Sequence, residues 1–182
     1  KDFIIETGTA QGIDFVIKYD YKAFNLYAVY SLSKVKRFDG INEYFPVFDR
    51  RHNINIVSSY SFGKNNSWET SLRWNFGSGF PYTQTAGFYE KNTFGGGNDI
   101  TNNNGQLGIL YGDYNAARLP TYHRLDLSIK KTYRFKERMG LEVGASVSNA
   151  YNRENMFYFD RVRFKRVNQL PILPSVNMAF FF

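Results

Sequence analysis

The stretch PSVNMAFFF, residues 174–182, decides the fold. Side chains alternate across an extended chain with a period of two. Val176, Met178, Phe180 and Phe182 therefore share one face, and Ser175, Asn177, Ala179 and Phe181 share the other. The first face is wholly apolar, and the second is small or polar apart from Phe181. The sequence closes on an aromatic with no polar tail. A strand of this kind suits an outer-membrane β-barrel, with lipid on one side and a polar lumen on the other. A strand of a soluble sandwich also has two unlike faces, so the rest of the chain has to decide.

Working outward, the same alternation recurs. Residues 141–151 set Leu141, Val143, Ala145, Val147 and Tyr151 against Glu142, Gly144, Ser146 and Ser148. Residues 122–135 set Leu125, Leu127, Ile129, Tyr133 and Phe135 against Arg124, Asp126, Ser128, Lys130, Thr132 and Arg134, with Lys131 an exception on the apolar face. Residues 52–62 and 68–76 form a clear pair across the turn at 63–67, whose Gly, Asn and Ser have turn chemistry. Residues 13–19 and 24–32 read as a further hairpin. Trp68, Trp74, Tyr60, Phe62 and Phe76 sit near strand ends, as an interfacial aromatic girdle would.

About seven strands result, and the links between them run short, long, short, long, short, long. The long links are 33–51, 77–121 and 152–173. A compact soluble domain seldom carries an irregular loop as long as 77–121. Short periplasmic turns alternating with long extracellular loops are the habit of an outer-membrane barrel, and they orient the chain so that Phe182 ends on the periplasmic side. Strands of ~9–11 tilted residues suffice to cross a bilayer.

Composition agrees. Aromatics make up 19% of 182 residues, mean hydropathy is -0.44, and there is no cysteine. No apolar run approaches the ~18 residues of a spanning helix. A formal charge of +7 suits nucleic acid or an anionic membrane surface such as lipopolysaccharide. The chain opens on Lys1 with no signal peptide, which for a membrane protein implies processing or a fragment.

Five segments carry a family resemblance: FDRRHNINIVSSYSF (48–62), SLRWNFGSGFPYT (71–83), RLPTYHRLDLSIKKTYRF (118–135), LEVGASVSNAYNRENMFYF (141–159) and QLPILPSVNMAFFF (169–182). Together they resemble the C-terminal barrel of TonB-dependent outer-membrane receptors, of the Bacteroidetes type with a carboxypeptidase-regulatory-like N-terminal domain. The resemblance spans nearly all of residues 1–182 and implies the last seven or so strands of a barrel of about 22, without plug, TonB box or the earlier strands. It implies a Gram-negative outer membrane and uptake of a scarce nutrient (metal chelate, glycan or peptide) with TonB-transmitted energy. Implied partners are membrane lipid and lipopolysaccharide, the remainder of the same receptor, TonB through absent regions, and a surface lipoprotein. It implies no enzyme activity and no cofactor. The terminal strand resembles the signal read by the barrel-assembly machinery, with Met178, Phe180 and Phe182 as its residues.

Candidate sites follow from the strand phase. Glu69, Arg73, Arg124, Asp126, Lys130 and Glu142 face the polar side, either as an inter-strand charge lattice or as contacts to plug or substrate. Direct cross-strand pairs are worth only ~0.2–1 kcal/mol each. The loop 77–121 offers Asn, Asp, Tyr and Gly to a polar ligand, with ordinary loop as the bland alternative. Its GGGND (95–99) lacks the ligand set of a calcium loop. Lys34, Lys36, Arg37, Arg50 and Arg51 gather in one long connection. Arg153, Arg161, Arg163, Lys165 and Arg166 gather in another, where Arg161, Arg163 and Arg166 are candidates for lipopolysaccharide phosphates. Two His without Cys, His52 and His123, make a poor metal site, and no motif singles out a serine nucleophile. Two other readings stay open. One is a soluble basic β module for single-stranded nucleic acid, disfavoured because the aromatics are not interleaved with basic residues. The other is a structural barrel without transport. Deleting Phe182 is expected to lower the amount of heat-modifiable barrel in the outer membrane; an unchanged amount would count against the assembly role.

Overall fold

The computed structural model describes residues 6–91, 106–135, 139–163 and 165–182. Strands follow one another as β1 (Thr7–Tyr21), β2 (Phe24–Phe38), β3 (Glu43–Tyr44), β4 (His52–Phe62), β5 (Trp68–Gly77), β6 (Pro81–Tyr82), β7 (Thr85–Lys91), β8 (Gln106–Tyr111), β9 (Ala117–Arg118), β10 (Tyr122–Arg134), β11 (Gly140–Ser148), β12 (Met156–Asp160), β13 (Lys165–Asn168) and β14 (Leu173–Phe181). A 3-10 turn at Lys64–Asn66 joins β4 to β5, and no α-helix occurs among the described residues.

Seven strands carry the architecture. They pair in the order β1-β2-β4-β5-β10-β11-β14, each antiparallel to its neighbour, and β3 bridges to β2. Each long strand thus lies beside the next long strand of the chain, the arrangement that short links between hairpin partners dictate. The sheet is open, with β1 and β14 as its edges. The all-β antiparallel fold expected from the alternation is therefore present, as an open sheet.

Register explains why. Residues directly opposite one another in an antiparallel pair project to the same side. Tyr19 stands opposite Leu26, Leu26 opposite Ser58, Ser58 opposite Leu72, Leu72 opposite Leu127, and Leu127 opposite Val147. The row below runs Tyr21, Phe24, Tyr60, Thr70, Ile129, Ala145, Val176. Every strand's apolar set therefore joins one continuous face. A slip of a single residue in any strand would move its apolar set to the polar side. On the opposite face Asp126 stands across from Arg73, and Lys130 across from Glu69.

Aromatic side chains band the two ends of the apolar face. At the short-turn end Tyr60, Phe62 and Trp68 stack at 5.9 and 6.1 Å between centroids. At the other end Phe15 stacks on Tyr30, Tyr30 on His52, and Trp74 on Phe76, all at about 6 Å. Aliphatic residues such as Ile17, Ala28, Ile56, Leu72, Leu127 and Val147 lie between. Lys131 sits within this face but at its turn end, with its ammonium 4.5 Å from the Trp68 ring and 3.1 Å from Ser67 Oγ. The aliphatic stem covers apolar surface while the charge reaches the rim.

Apart from Pro46 and Pro81, no aliphatic or aromatic side chain among the described residues is buried. On β14, Val176, Met178 and Phe180 are 78%, 70% and 55% exposed. Among the described residues the sheet packs against no second layer.

Three expectations need correction. β1 and β2 run well beyond 13–19 and 24–32, because the ladder continues through Thr7↔Phe38 where both faces turn polar and alternation loses its signal. The connection 33–51 is thus strand as far as Phe38. Within the described part of the link 77–121 the chain is not irregular: β7 pairs with β8, and β6 bridges to β9. Within 152–173, β12 and β13 form another hairpin. The Gly/Asn runs at 95–99 and 101–105 lie outside the described residues, as do residues 136–138 of the turn before β11.

Gly79 permits the β6–β9 bridge. A Cβ there would collide with the Leu119 carbonyl oxygen, a backbone atom that cannot swing aside. Leu119 N–H donates to Phe80 O at 2.9 Å across the same approach. Gly79→Ala should cost about 1–3 kcal/mol by overpacking and speed amide exchange at Leu119. Unchanged protection there would refute this account of the bridge.

Candidate functional site

The long connections β2–β4, β5–β10 and β11–β14 leave the sheet at the same end, and polar side chains weld them into a cap. Asp49 is its first node. The carboxylate is fully buried. Its Oδ1 accepts from Val35 N–H at 2.7 Å, and its Oδ2 accepts from Arg118 and lies 3.4 Å from Arg51 Nε. Arg118 also donates to Asp49 O at 3.1 Å and Gly79 O at 3.2 Å. The Phe45 ring takes both guanidinium groups on its surface, Arg51 at 4.9 Å and Arg118 at 5.2 Å. Burial acts to raise the Asp49 pKa, but the Arg118 hydrogen bond, the Val35 N–H and the charges of Arg118 and Arg51 outweigh it and hold the carboxyl below its ordinary range.

Asn115 ties the same two connections from the other side. It donates from Nδ2 to Phe45 O at 2.8 Å, and its own N–H reaches Thr83 Oγ1 at 3.0 Å. Its φ of 52° is one that Asn tolerates better than most residues. The Tyr44 and Tyr114 rings meet edge to face at 5.0 Å beside it.

The motif SNAYNREN, residues 148–155, builds the second node. Asn149 donates from Nδ2 to Arg153 O at 2.9 Å and Leu170 O at 3.2 Å, and its Oδ1 accepts from Arg153 N–H at 3.0 Å. Asn155 mimics a strand neighbour for His123, accepting from its N–H at 3.2 Å and donating to its O at 2.9 Å. Asn152 Oδ1 accepts from Ile172 N–H at 2.9 Å. Three short amides thus satisfy backbone groups that a loop would otherwise bury unpaired.

The expected polar-face residues do share one face, but they divide. Lys130 lies between Glu69 at 3.4 Å and Glu142 at 3.6 Å. Asp126 belongs to the second node: Oδ2 takes Arg124 at 2.8 Å and Oδ1 takes Asn149 N–H at 3.0 Å. Arg73 is exposed opposite Asp126 and forms no ion pair with a described residue. Arg161 donates to Thr83 O at 2.9 Å and covers the Tyr111 ring at 5.1 Å, so it braces the cap. Arg166 donates to Asn168 Oδ1 at 2.7 Å and to Glu154 O. Arg163 is largely exposed, 4.0 Å from Asp160. Phe182 is 92% exposed, and Phe180 and Met178 lie beside it on the apolar face of edge strand β14. His52 pairs with Tyr30 OH at 2.9 Å and His123 with Tyr151 OH at 2.6 Å. No group of three His, Asp or Glu converges as a metal site among the described residues.

Asp49, Arg118, Asn115, Asn149 and Asn155 went unread as site residues. The available signal was their chemistry: short amides and carboxylates beside Arg in otherwise structureless text.

Clefts open between these braces. One of about 770 Å³ is lined by Glu6, Asp39, 42–45 and 113–116. Two more, of about 420 and 440 Å³, flank Arg161 and share Tyr82 and Thr83. The cap therefore presents polar, tyrosine-lined surface at the end of the sheet. No family model, curated protein or solved structure matches the chain.

Asp49→Ala should open the cap, at about 3–5 kcal/mol for a buried pair losing one partner. In the wild type the Asp49 contribution is complete above the ordinary carboxylate pKa of ~3.9 and is lost as pH falls below it through the depressed folded value. Thermal melts as a function of pH should show the wild-type advantage over Asp49→Ala persisting to pH 4 and shrinking only below it. An advantage already gone at pH 5–6 would contradict the assignment.

Proposed function

We propose that the chain forms wall and outer cap of a TonB-dependent outer-membrane receptor, a Gram-negative transporter that takes up a scarce nutrient with energy delivered through TonB. The observation that carries this reading is the apolar face, continuous over seven strands, banded by aromatics at both ends and without a layer of its own to cover it. Hydrocarbon is the environment that such a face fits, and the aromatic bands fit its two interfaces.

The edges support the same reading. β1 and β14 each expose a regular row of backbone groups. In lipid each unpaired group costs several kcal/mol, so a sheet in a bilayer has to close. Further strands of the same receptor would pair with β1 and β14, and a plug would lie against the polar face carrying Arg73, Glu69 and Lys130. Wall strands hold the cap in register, and the cap with the plug binds the nutrient before energised displacement of the plug releases it inward. Arg163, with the exposed Lys165 of the same group, offers side-chain surface to lipopolysaccharide phosphate.

The test contrasts adjacent positions on opposite faces. Leu127→Arg places a charge on the apolar face, where it costs about 2–4 kcal/mol at mid-depth. Ser128→Arg places the same charge on the polar face. In the full-length receptor the first should deplete the heat-modifiable form from the outer membrane and the second should leave it. Equal behaviour of the two variants, or full-length protein soluble without detergent, would refute the lipid-facing wall.

A further inference from the structure

One cation stands within the apolar face itself. Lys131 belongs to the row Phe62, Trp68, Lys131, Val143, Met178, whose other members are all apolar. Its Nζ donates to Ser67 Oγ at 3.1 Å and lies over the Trp68 ring at 4.5 Å and the Tyr133 ring at 5.6 Å. These partners are themselves fixed. Ser67 O accepts from Thr132 N–H at 2.8 Å, which ties the turn to the strand that carries Lys131. The Trp68 indole stacks on Phe62 with 7° between the planes. Gly63 lies so close behind the indole that a Cβ would stand 3.0 Å from Trp68 Cδ1.

The arrangement positions an ammonium without neutralising it. Two ring faces and a hydroxyl carry no charge, and no carboxylate among the described residues pairs with Lys131. Ser67 takes one of its three N–H donors. Lys130, on the other face, shows the contrast, because it lies between Glu69 and Glu142. On a face turned to hydrocarbon an unpaired charge is costly, so the counter-ion of Lys131 has to come from its surroundings. Depth selects which one. Four residues of strand at ~3.3 Å each, tilted by ~40°, carry Lys131 about 10 Å toward the turn end from mid-depth Leu127. That is near the edge of an apolar band ~25 Å tall. The anion met at such an edge is the phosphate of a lipid head.

Resting on the lipid-facing wall proposed above, we propose that Lys131, Ser67, Trp68 and Tyr133 form a docking site for the phosphate of an anionic glycerophospholipid in the leaflet at the short-turn end. The phosphodiester oxygens accept from the two remaining N–H donors of Lys131. The acyl chains run over Ile129, Ala145 and Val176, the next row of the same face, toward Leu127. An anionic head is favoured over a zwitterionic one, whose own cation competes with Lys131 for the phosphate. Lys22 and Lys64 stand at the same end of the sheet but are exposed turn residues, and Lys22 has the Tyr21 ring alone, at 5.1 Å.

The test is native mass spectrometry of the full-length receptor in detergent, titrated with phosphatidylglycerol, phosphatidylcholine or lipid A. Phosphatidylglycerol is expected to bind most tightly. Lys131→Met, which puts no polar group on the apolar face, should weaken it about fivefold. Lys131→Arg should stay close to wild type, and Ser67→Ala should weaken binding by a smaller factor than Lys131→Met. Lys22→Gln and Lys64→Gln should leave it unchanged. Phosphatidylglycerol binding unaltered in Lys131→Met, or weakened as much by Lys64→Gln, would overturn the site. So would Lys131-dependent capture of lipid A in preference to phosphatidylglycerol, which places this end in the opposite leaflet. A receptor that needs detergent but binds phosphatidylglycerol without regard to Lys131 overturns this inference and leaves the wall standing. A full-length protein soluble without detergent that binds none of the three lipids removes both.

Discussion

The antiparallel hydrogen-bond ladder carries this fold, because no apolar core does. Among the described residues no aliphatic or aromatic side chain but Pro46 and Pro81 is buried, while the pairing runs without a bulge through all six contacts of the seven-strand sheet. Each ladder bond by itself contributes only ~0.5–1.5 kcal/mol in water, since water competes for both partners. Where water is excluded that competition ends, and leaving a group unpaired becomes the larger quantity. The sheet is therefore stable in proportion to how completely its apolar face is covered and its edges are paired. A bare sheet of this size in water would have neither.

Burial is inverted relative to a soluble domain. Among the described residues the buried polar side chains are Asp49, Asn115, Asn149 and Asn155, at 0–4% exposure, and all four belong to the cap. Asn115 satisfies a carbonyl of another connection, Asp49 and Asn155 satisfy backbone groups of strands β2 and β10, and Asn149 satisfies those of its own connection. Charges could not be buried there unpaired, and Asp49 is met by two guanidinium groups and a backbone N–H. The sheet and the cap thus follow opposite rules. The sheet puts apolar atoms outside and keeps its polar row on one face. The cap gathers polar atoms inside and exposes tyrosine and phenylalanine at its clefts.

This division also sets what was legible in the sequence. The sheet was readable because a period of two is a property of neighbouring residues: 52–62 is the strand His52–Phe62, and 174–182 is displaced by one residue from Leu173–Phe181. Even the exception, Lys131, was visible as one. Alternation failed where both faces are polar, as in Lys34, Lys36 and Arg37, and there β2 continued unseen. The cap was not readable for a different reason. Asp49 meets Arg118 across a separation of 69 residues, and Asn115 meets Phe45 across 70. Nothing local in DRR or YNA announces such a partner. Asp126 shows the limit within the sheet itself: its face was legible, but its bond to Asn149 made it part of the cap. Arg161 was legible as a charge and not as a brace on Thr83 and Tyr111.

The same separation governs how the cap acquires its precision. Loops that bind ligands need rigid support, and here the strands supply it through register. Asn53 and Tyr122 both face Gly77, and Ser148 faces Leu173, so the roots of all three connections are fixed by the last ladder rungs. From those roots the polar nodes add position without adding apolar surface that would need covering. A cap held by aliphatic packing would expose that packing whenever a connection moved. One held by Asp49, Asn115, Asn149 and Asn155 returns its polar groups to water on opening, at lower cost. The same nodes tie the cap to the sheet, because Asp49 bonds Val35 of β2, Asn155 bonds His123 of β10 and Asn149 bonds Asp126 of β10.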